Sequence, residues 1–314
     1  MRLLFILDPL EQLKTYKDTS VALMREAASR GHKVFTAMQG DLLLRHAQVM
    51  VKVSAFEFSD GAVWYVSGAA VETSPAEFDA ILMRKDPPFD NEYLYSTYLL
   101  ELAVKQGAKV YNDPEAIRGW NEKLSIARFA EFAPAFIVTS NNLLIRDFLK
   151  THGDIIVKPL DGMGGSGVFR LRTDDANIGV ILETITHFGE RTVMAQRYVP
   201  EIKSGDKRII MIDGEPLPYA LARIPQGGET RGNLAAGGKG VAQPLSERDL
   251  VIAKYVGPSL RTHGLFLVGL DVIGDYLTEV NVTSPTGMVE IAAQTDCDPA
   301  RLFMDALEDS CASS

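Results

Sequence analysis

The sequence predicts an α/β protein in which the first third is an open α/β domain and the remainder is α+β. Three observations lead to this prediction. Strand-like and helix-like segments alternate over the first 120 residues, hairpin signals dominate from Glu122 onward, and 46% of the 314 residues are apolar. This length and apolar content suffice to bury two or three subdomains.

The amino-terminal domain is predicted to comprise residues 1–120. Its first elements are a strand, a helix and a strand, at Leu3 to Leu7, about Thr19 to Arg30, and Lys33 to Met38. Thr19 or Ser20 is suited to cap the helix, and Gly31 is suited to end it. The order of these elements is typical of a parallel sheet.

The second half of this domain contains a hairpin and a further α/β unit. Two alternating stretches, Val49 to Phe58 and Val63 to Val66, meet around Asp60-Gly61, which is typical of a hairpin. The remaining strand, helix and strand are predicted at Ala80 to Arg84, Tyr93 to Gln106, and Lys109 to Tyr111.

From Glu122 onward the pattern predicts two α+β subdomains, residues 121–200 and 201–314. The first carries a glycine-rich loop, and the second carries turn signals at Asp213-Gly214 and Gly274-Asp275. The last residues, around 310–314, are expected to form a frayed tail.

Charge and cysteine content restrict the class of partner and the compartment. A formal net charge of −9 argues against nucleic-acid and anionic-membrane partners. The amino-terminal apolar run stops at Asp8, too short for a signal peptide, and no segment has the length of a membrane helix. Only two cysteines occur, Cys297 and Cys311, so a reduced cytoplasm is expected.

A glycine-rich run follows a short apolar strand at Ile155 to Val157. Lys158 ends that strand, and the letters GMGGSG occupy positions 162–167. Glycines let successive N–H groups approach one phosphate, while the lysine supplies positive charge. An ordinary hairpin turn is the alternative interpretation of such a run.

Hard oxygen ligands lie in the segment LVGLDVIGDYLTEVNVTSP. Asp271, Glu279 and Asn281 are the kind of set that suits Mg²⁺. Asp271 joins the other two on one face only if the intervening turn is odd-numbered or the strand is bulged. A half-exposed hairpin with ordinary polar residues is the alternative.

Basic residues are distributed over several turns of the second part. Taken one at a time, these residues are most simply interpreted as solvated surface charges; they are Lys123, Lys207, Arg208 and Arg223. Together they suit a densely charged site for ATP, a metal and a carboxylate substrate.

Longer motifs resemble the ATP-grasp superfamily and, within it, the bacterial glutathione synthetases. The resemblance covers nearly the whole chain, and its most specific pieces are LMRKDPPFD at 82–90, NEKL at 121–124, KPLDGMGG at 158–165, ARIPQGGETRGNLAAGG at 222–238, and GLDVIGDYLTEVNVTSPTG at 269–287. The resemblance implies an ATP-grasp fold with an amino-terminal α/β domain, a small central lid domain and a carboxy-terminal domain.

The same resemblance implies ATP-dependent joining of γ-glutamylcysteine and glycine through an acyl phosphate. Implied nucleotide contacts are Lys123, Lys158, Gly162, Gly164, Gly165, Gln196, Tyr198, Val199 and Asp206. The implied ligands of Mg²⁺, with Mn²⁺ as the alternative ion, are Asp271, Glu279 and Asn281. Implied substrate positions are Asp18, Ser20, Arg84, Arg208, Arg223, Gly237 and Gly238. Arg208, Arg223 and Arg231 are the implied catalytic residues, and the chain is expected to form a homo-oligomer.

Further expectations concern a loop and two departures from the family pattern. The segment from Ile224 to Gly240 is predicted to be a mobile lid, since it contains too many glycines for a stable helix or strand. Val289 stands where the pattern has a basic residue, and Trp120 where a smaller residue is expected. We interpret Trp120 as a packing difference.

Two other functions remain open at this point. One is a different ATP-grasp ligase, such as a D-alanine-D-alanine ligase or a glutamate-adding ligase, which would share the nucleotide site. The other is a nucleotide-binding interaction protein on the same fold. A panel of donor and acceptor amino acids, with phosphate release as the readout, discriminates between the ligases. An interaction protein would bind ATP without acceptor-dependent phosphate release.

Overall fold

A computed structural model describes residues 1–227, 232 and 237–313 of the chain. Within these residues the strands form three sheets, which follow one another along the sequence. No helix in this described part has the length and apolarity needed to cross a membrane. Arg231 lies outside the described residues, as does most of the centre of the predicted lid.

The first sheet contains eight strands and is parallel at its centre. The strands are β1 (Arg2–Leu7), β2 (Lys33–Met38), β3 (Leu42–Arg45), β4 (Gln48–Phe58), β5 (Tyr65–Ser67), β6 (Val71–Thr73), β7 (Ala80–Met83) and β8 (Val110–Tyr111). They are ordered β3-β4-β2-β1-β7-β8, and β5 and β6 both pair with β4. Helices α1 (Thr19–Ser29), α2 (Asn91–Lys105) and α3 (Pro114–Gly119) connect or flank them.

This sheet confirms the predicted alternation, with one correction at the start of α1. The cap is Asp18, whose carboxylate accepts a hydrogen bond from the Val21 N–H at 3.0 Å. Thr19 and Ser20 were expected in that role, but both already lie inside the helix, so neither can precede it. Strands β3 and β6 were not predicted.

The second sheet is the small central one, and its strands are antiparallel. They are β9 (Phe136–Thr139), β10 (Asp154–Pro159), β11 (Phe169–Arg172) and β12 (Val193–Arg197), in the order β11-β10-β12-β9. Helices α4 (Asn142–His152) and α5 (Ile178–Ile185) supply apolar side chains that pack on β10 and β12. The opposite side of β10 and β12 is therefore left to line a cleft.

The third sheet carries the two predicted hairpins. It contains β13 (Asp206–Ile212), β14 (Glu215–Ile224), β15 (Lys239–Pro244), β16 (Leu267–Ile273) and β17 (Tyr276–Asn281), in the order β15-β14-β13-β16-β17. Turns at Asp213-Gly214 and Gly274-Asp275 connect the hairpin strands, as the sequence predicts. Helices α6 (Glu247–Thr262), α7 (Met288–Gln294) and α8 (Pro299–Ser313) complete this part.

A bulge in β17 decides which way the predicted metal ligands face. Ile273 pairs with Tyr276 and Val272 with Leu277, but Asp271 pairs with Glu279. Thr278 is therefore the extra residue, and its hydroxyl donates to the Asp271 carbonyl at 3.1 Å. The bulge therefore brings Asp271 and Glu279 to the same face of the sheet, as the predicted metal site requires.

The carboxy-terminal residues form a helix and not the predicted frayed tail. Helix α8 packs against α1, and its residues Phe303, Met304 and Leu307 belong to one core with Leu3, Phe5 and Leu23. Polar contacts also stabilise the packing of α8: Glu308 accepts a hydrogen bond from Arg30 at 3.1 Å and lies 2.6 Å from His32 Nε2. The helix was not predicted to extend over 310–313, because the small and polar residues there do not continue the apolar pattern of the residues before them.

Trp120 is buried in the core between α3 and the third sheet. Its ring lies 6.1 Å from that of Phe129 and 5.2 Å from that of His263, and the Arg128 guanidinium covers its face. This environment agrees with the packing interpretation of Trp120.

Candidate active site

All three parts of the fold meet at one cleft of about 600 Å³. The first domain contributes the loop after β1 and the loop after β7, the central sheet contributes β10, its glycine-rich turn and β12, and the third sheet contributes β13, β14 and β17. Residues far apart in sequence therefore share one solvent-accessible space.

Two nearly buried lysines lie at the centre of the cleft. Lys158 Nζ is 3.1 Å from Glu279 Oε1, and Lys123 Nζ is 3.7 Å from the same oxygen. Lys123 also donates to the Gly162 carbonyl at 2.7 Å. Burial disfavours the Glu279 carboxylate, but the two lysines outweigh burial and lower its pKa. Two cations face one anion, so the site retains positive charge for an added anion.

The glycine-rich turn after β10 borders these lysines. Gly164, Gly165 and Gly167 have φ values of 61°, 80° and 70°, a region that favours glycine. A side chain at position 162 would lie 2.8 Å from Pro159 Cγ, which excludes larger residues. Gly162, Gly164 and Gly165 all line the cleft. The turn thus brings backbone, unshielded by side chains, to the lysines.

Asp271 is held by two arginines. Arg208 donates through Nε and Nη2 to its two carboxylate oxygens, each at 2.8 Å, and Arg223 Nη2 lies 2.8 Å from Oδ2. Burial opposes the ionisation of Asp271, but these guanidinium groups outweigh it and hold the pKa of Asp271 well below its usual range. Cross-strand pairing explains the contact, since Arg208, Asp271 and Glu279 are successive partners on β13, β16 and β17.

Asp206 is the second carboxylate bound to Arg223. Burial raises the pKa of Asp206 to about 6, although Arg223 acts in the opposite direction. Its Oδ1 is buried and has no hydrogen-bond partner within the described part of the chain. Gly232 packs close by, and a side chain there would lie 2.2 Å from the Arg223 carbonyl.

The donor set suits a hard divalent cation, but it is partly engaged by protein cations. Glu279 and Asn281 line the cleft, the Asn281 amide donates to the Gly269 carbonyl at 3.2 Å, and Asp206 Oδ1 is free to accept. Over residues 1–227, 232 and 237–313, no three His, Cys, Asp or Glu residues cluster as a ready metal site. Asp271, the remaining predicted ligand, is already engaged, since both of its carboxylate oxygens contact Arg208 or Arg223.

The adenine segment predicted from the resemblance lies on and after β12. Gln196, Tyr198 and Val199 line the cleft, and the buried Gln196 Nε2 has no partner among the described residues. Arg170 lies 3.6 Å above the ring of Tyr198 and is itself paired with Asp154. An unpartnered amide beside an ordered ring suits recognition of a heterocycle.

Arg84 lies behind the wall of the cleft and has no carboxylate partner among the described residues. Nε donates to Ser20 Oγ at 3.1 Å and Nη2 to the Pro285 carbonyl at 2.9 Å, while Nη1 has no partner there. Burial lowers the pKa of Arg84. A buried guanidinium with only neutral hydrogen-bond acceptors favours an anionic ligand nearby.

The structure brings most of the predicted residues into this cleft. Those that line it are Asp18, Lys123, Lys158, Gly162, Gly164, Gly165, Gln196, Tyr198, Val199, Asp206, Arg208, Arg223, Glu279 and Asn281. Ser20, Arg84 and Asp271 contact or support lining residues without lining the cleft, Gly237 and Gly238 do not line it, and Arg231 lies outside the described residues.

Four cleft carboxylates were not predicted as site residues, namely Asp8, Asp86, Glu122 and Glu290. Glu122 lies beside Lys123 in NEKL, accepts from Thr283 Oγ1 at 2.9 Å, and has its pKa raised by burial. Its position next to a predicted phosphate lysine was an available signal. Glu290 lies on α7, one turn after the SPTG motif, and no feature of the sequence marks it.

Comparison with known proteins gives consistent matches over the whole chain. Residues 1–118 match the family described as "Prokaryotic glutathione synthetase, N-terminal domain", and residues 122–296 match "Prokaryotic glutathione synthetase, ATP-grasp domain". A glutathione synthetase of Nitrosomonas europaea is 58% identical over 99% of both chains, and one of Neisseria meningitidis serogroup A is 55% identical over 98% of both. The solved structure of the D-cycloserine synthetase DcsG superimposes with a TM-score of 0.67 at 16% identity, covering 98% of this chain and 99% of that one. That last likeness concerns the fold alone.

Proposed function

Since this chain belongs to the prokaryotic glutathione synthetase family, we propose that its cleft joins γ-glutamylcysteine to glycine at the expense of ATP. The products are glutathione, ADP and phosphate. An amine does not displace oxide from a carboxylate, so the cysteinyl carboxylate first becomes an acyl phosphate, and glycine then displaces phosphate. The alternative of a nucleotide-binding interaction protein lacks support, since the family is one of ligases.

The observation that carries the proposal is the surplus positive charge beside the glycine-rich turn. Lys123 and Lys158 share one carboxylate, Glu279, so one positive charge is available to a phosphate group. The adjacent Gly162, Gly164 and Gly165 line the cleft, and their lack of side chains suits the close approach of a phosphate to the backbone. We assign the nucleotide phosphates to this corner and adenine to Gln196, Tyr198 and Val199. Asp206 is assigned to the same nucleotide site.

Arg208 and Arg223 are the residues that we assign to phosphoryl transfer. Both guanidinium groups line the cleft and point at Asp271, which lies next to Glu279 on the neighbouring strand. Asp271, Glu279 and Asn281 would hold Mg²⁺, which supplies charge neutralisation to the phosphates when bound; Mn²⁺ is the alternative ion. Arg208 and Arg223 would stabilise the charge on the transferring phosphoryl group and orient the substrate carboxylate. Arg231 is proposed as a further catalytic residue, from the family resemblance alone.

The peptide substrate is assigned to the end of the cleft formed by the first domain. Asp18 lines this end and is fixed by its capping of α1, while Arg84 holds Ser20 and the loop at Pro285. The charge of Arg84, which makes no direct ion pair with a carboxylate among the described residues, favours a substrate that carries carboxylates. Gly237 and Gly238 remain proposed substrate positions.

The domain boundaries, the cellular location and the oligomeric state are also proposals. We place domain boundaries at residues 120/121 and 200/201, since each of the three sheets falls within one of the resulting segments. A cytoplasmic location agrees with the free Cys297 and Cys311. A homo-oligomer is proposed from the resemblance, and light scattering of the purified protein measures its subunit number.

The decisive experiment measures ADP and glutathione formation with γ-glutamylcysteine, with and without glycine. We expect magnesium-dependent ADP formation that rises strongly on glycine addition and matches glutathione in amount. D-Alanine and glutamate, each offered in place of both substrates, are the controls for the other ATP-grasp ligases. Turnover with either control, or none with γ-glutamylcysteine and glycine, would overturn the proposal.

A further inference from the structure

One carboxylate of the cleft makes no side-chain hydrogen bond or ion pair within the described part of the chain. Glu290 lines the cleft, and its Oε2 is buried without a hydrogen-bond partner among residues 1–227, 232 and 237–313. Burying a carboxylate oxygen without a donor or a cation is unfavourable. A ligand that brings positive charge or N–H donors would remove this cost.

The other acidic side chains of the cleft are accounted for by contacts within the protein. Asp8 pairs with Lys85 at 2.9 Å, Asp18 caps α1, and Glu122 accepts from Thr283. Asp206 and Glu279 bind Arg223 and Lys158 respectively, and Asp86 interacts electrostatically with the Arg84 guanidinium. Glu290 thus differs from these residues, because its buried Oε2 meets no donor within the described part of the chain.

The position of Glu290 indicates which end of the cleft it serves. Helix α7 packs against β14 and β15, and a side chain at its cap, Gly287, would lie 3.2 Å from Leu221. Leu221 and Arg223 are two residues apart on β14, so they share one face, and both line the cleft. Glu290 therefore lies on the helix that packs against the strand of Arg223, although the segment before this helix also reaches Arg84 through the Pro285 carbonyl.

We propose that Glu290 binds the ammonium group of the amine acceptor and takes the proton that this group must lose before it attacks. The inference rests on the proposed function, in which free glycine presents an ammonium ion. The carboxylate accepts one proton, and the amine lone pair forms the C–N bond to the acyl carbon. The bond from that carbon to the phosphate oxygen breaks, and the departing phosphate takes the second proton as HPO₄²⁻. The amide keeps the third.

The test compares the full-length wild type with Glu290→Gln and a matched control. Glu115→Gln makes the same chemical change in the first turn of another short helix, α3, at an exposed position outside the cleft. Steady-state kinetics are measured for glycine and, separately, for γ-glutamylcysteine. Hydroxylamine, which is uncharged near neutral pH, serves as a second acceptor, and its hydroxamate reports the acyl phosphate.

We expect Glu290→Gln to raise the KM for glycine about 10- to 100-fold and to lower kcat, since a charged hydrogen bond is lost. The KM for γ-glutamylcysteine and the rate of hydroxamate formation should stay within about twofold of wild type, because neither requires the ammonium contact. Glu115→Gln should behave as wild type. Glu290→Asp, which keeps the charge, should be less impaired than Glu290→Gln.

Several results would overturn the assignment. Unchanged glycine kinetics in Glu290→Gln, with or without a lower melting temperature, would leave the residue with a structural role only. A raised KM for γ-glutamylcysteine instead would assign Glu290 to the ammonium of that substrate. Equal loss with hydroxylamine would show a defect before the amine step. If the wild type itself forms no glutathione, the proposed function fails first, and that result is distinct from all of these.

Discussion

At the scale of single residues, the carboxylates at the centre of the cleft are paired with lysines and arginines of the same chain. Lys123 and Lys158 bind Glu279, while Arg208 and Arg223 bind Asp271. The sequence predicted which residue types meet there, since these positions lie in long motifs. It did not predict these pairings, because they depend on register between strands that are distant in sequence.

The lysine pair gives the first prediction. Lys158→Ala should weaken ATP binding about 10- to 100-fold, because it removes a buried charge that would contact phosphate. Isothermal titration with a non-hydrolysable ATP analogue measures the effect. Lys150→Ala, at an exposed position on α4, is the matched control and should change nothing. Equal affinities in the two variants would remove Lys158 from the phosphate site.

The two thiols give a prediction with a defined pH dependence. Burial raises the pKa of both Cys297 and Cys311. Because the thiolate is the reactive form, a raised pKa leaves less of it at neutral pH, and reactivity should increase as pH rises through the raised value. Iodoacetamide labelling followed by mass spectrometry should be slow near pH ~7 and faster near ~9, relative to the urea-unfolded chain as control.

The same thiols are predicted to have no part in the reaction. Neither cysteine lines the cleft, so the double variant Cys297→Ser, Cys311→Ser should keep the turnover of the wild type. Labelling at neutral pH as fast as in the unfolded chain, or loss of turnover in the double variant, would contradict this account.

At the scale of elements, most strands and helices followed from periodicity and turn chemistry. Two-residue turns at Asp213-Gly214 and Gly274-Asp275 were predictable because Asp and Gly tolerate their backbone conformation. The bulge at Thr278 could be inferred only indirectly, because without a bulge or an odd-numbered turn Asp271 and Glu279 would lie on opposite faces of the sheet. Short edge strands such as β3 (Leu42–Arg45) could not be predicted, because their stability comes from pairing with β4 and not from their own pattern.

A close approach between α6 and the turn of the β13–β14 hairpin supports an element-scale prediction. A side chain at Gly257 would lie 2.1 Å from the Gly214 carbonyl oxygen, so Gly257→Ala must separate helix and hairpin. We expect a loss of about 1–3 kcal/mol in the free energy of unfolding, measured by urea denaturation.

A second helical glycine provides the control for that measurement. Gly119, the last residue of α3, has nothing within 4 Å of an added side chain, so Gly119→Ala should be neutral or stabilise by up to about 1 kcal/mol. Equal stability of Gly257→Ala and Gly119→Ala would show that the contact can relax without cost.

At the scale of the whole molecule, the segments that match the two family descriptions are not separate bodies. Asn112, just after β8, donates to the carbonyls of Leu267 and Val282, each at 2.8 Å, and accepts from the Leu267 N–H at 2.7 Å. One core includes Leu3 and Phe5 together with Ile210, Phe266 and Phe303. The sequence predicted the domains but not this joining, because no local pattern encodes contacts across 155 positions.

The joining predicts that the two segments unfold together. Asn112→Ala removes three buried hydrogen bonds and should lower the stability of both segments by about 2–4 kcal/mol. Trp64 lies in the first segment, and Trp120 lies between the segments but packs in one core with Phe129 of the second. Each tryptophan therefore reports on one segment when the other is replaced by phenylalanine. Both fluorescence transitions should shift to lower temperature together, and Asn112→Asp should shift them at least as far, because a buried carboxylate would face the Leu267 and Val282 carbonyls. A shift at one tryptophan alone would refute the coupling.

The shared core also constrains how the chain can be made. Leu3, Phe5, Leu23 and Met24 pack against Phe303, Met304 and Leu307, which a ribosome synthesises some 300 residues after the first of them. Until these late residues are synthesised, the core of α1 and the first sheet lacks part of its native apolar partners. Exposed apolar surface of this kind favours chaperone binding, and we expect the nascent chain to reach its native packing only after α8 has been synthesised.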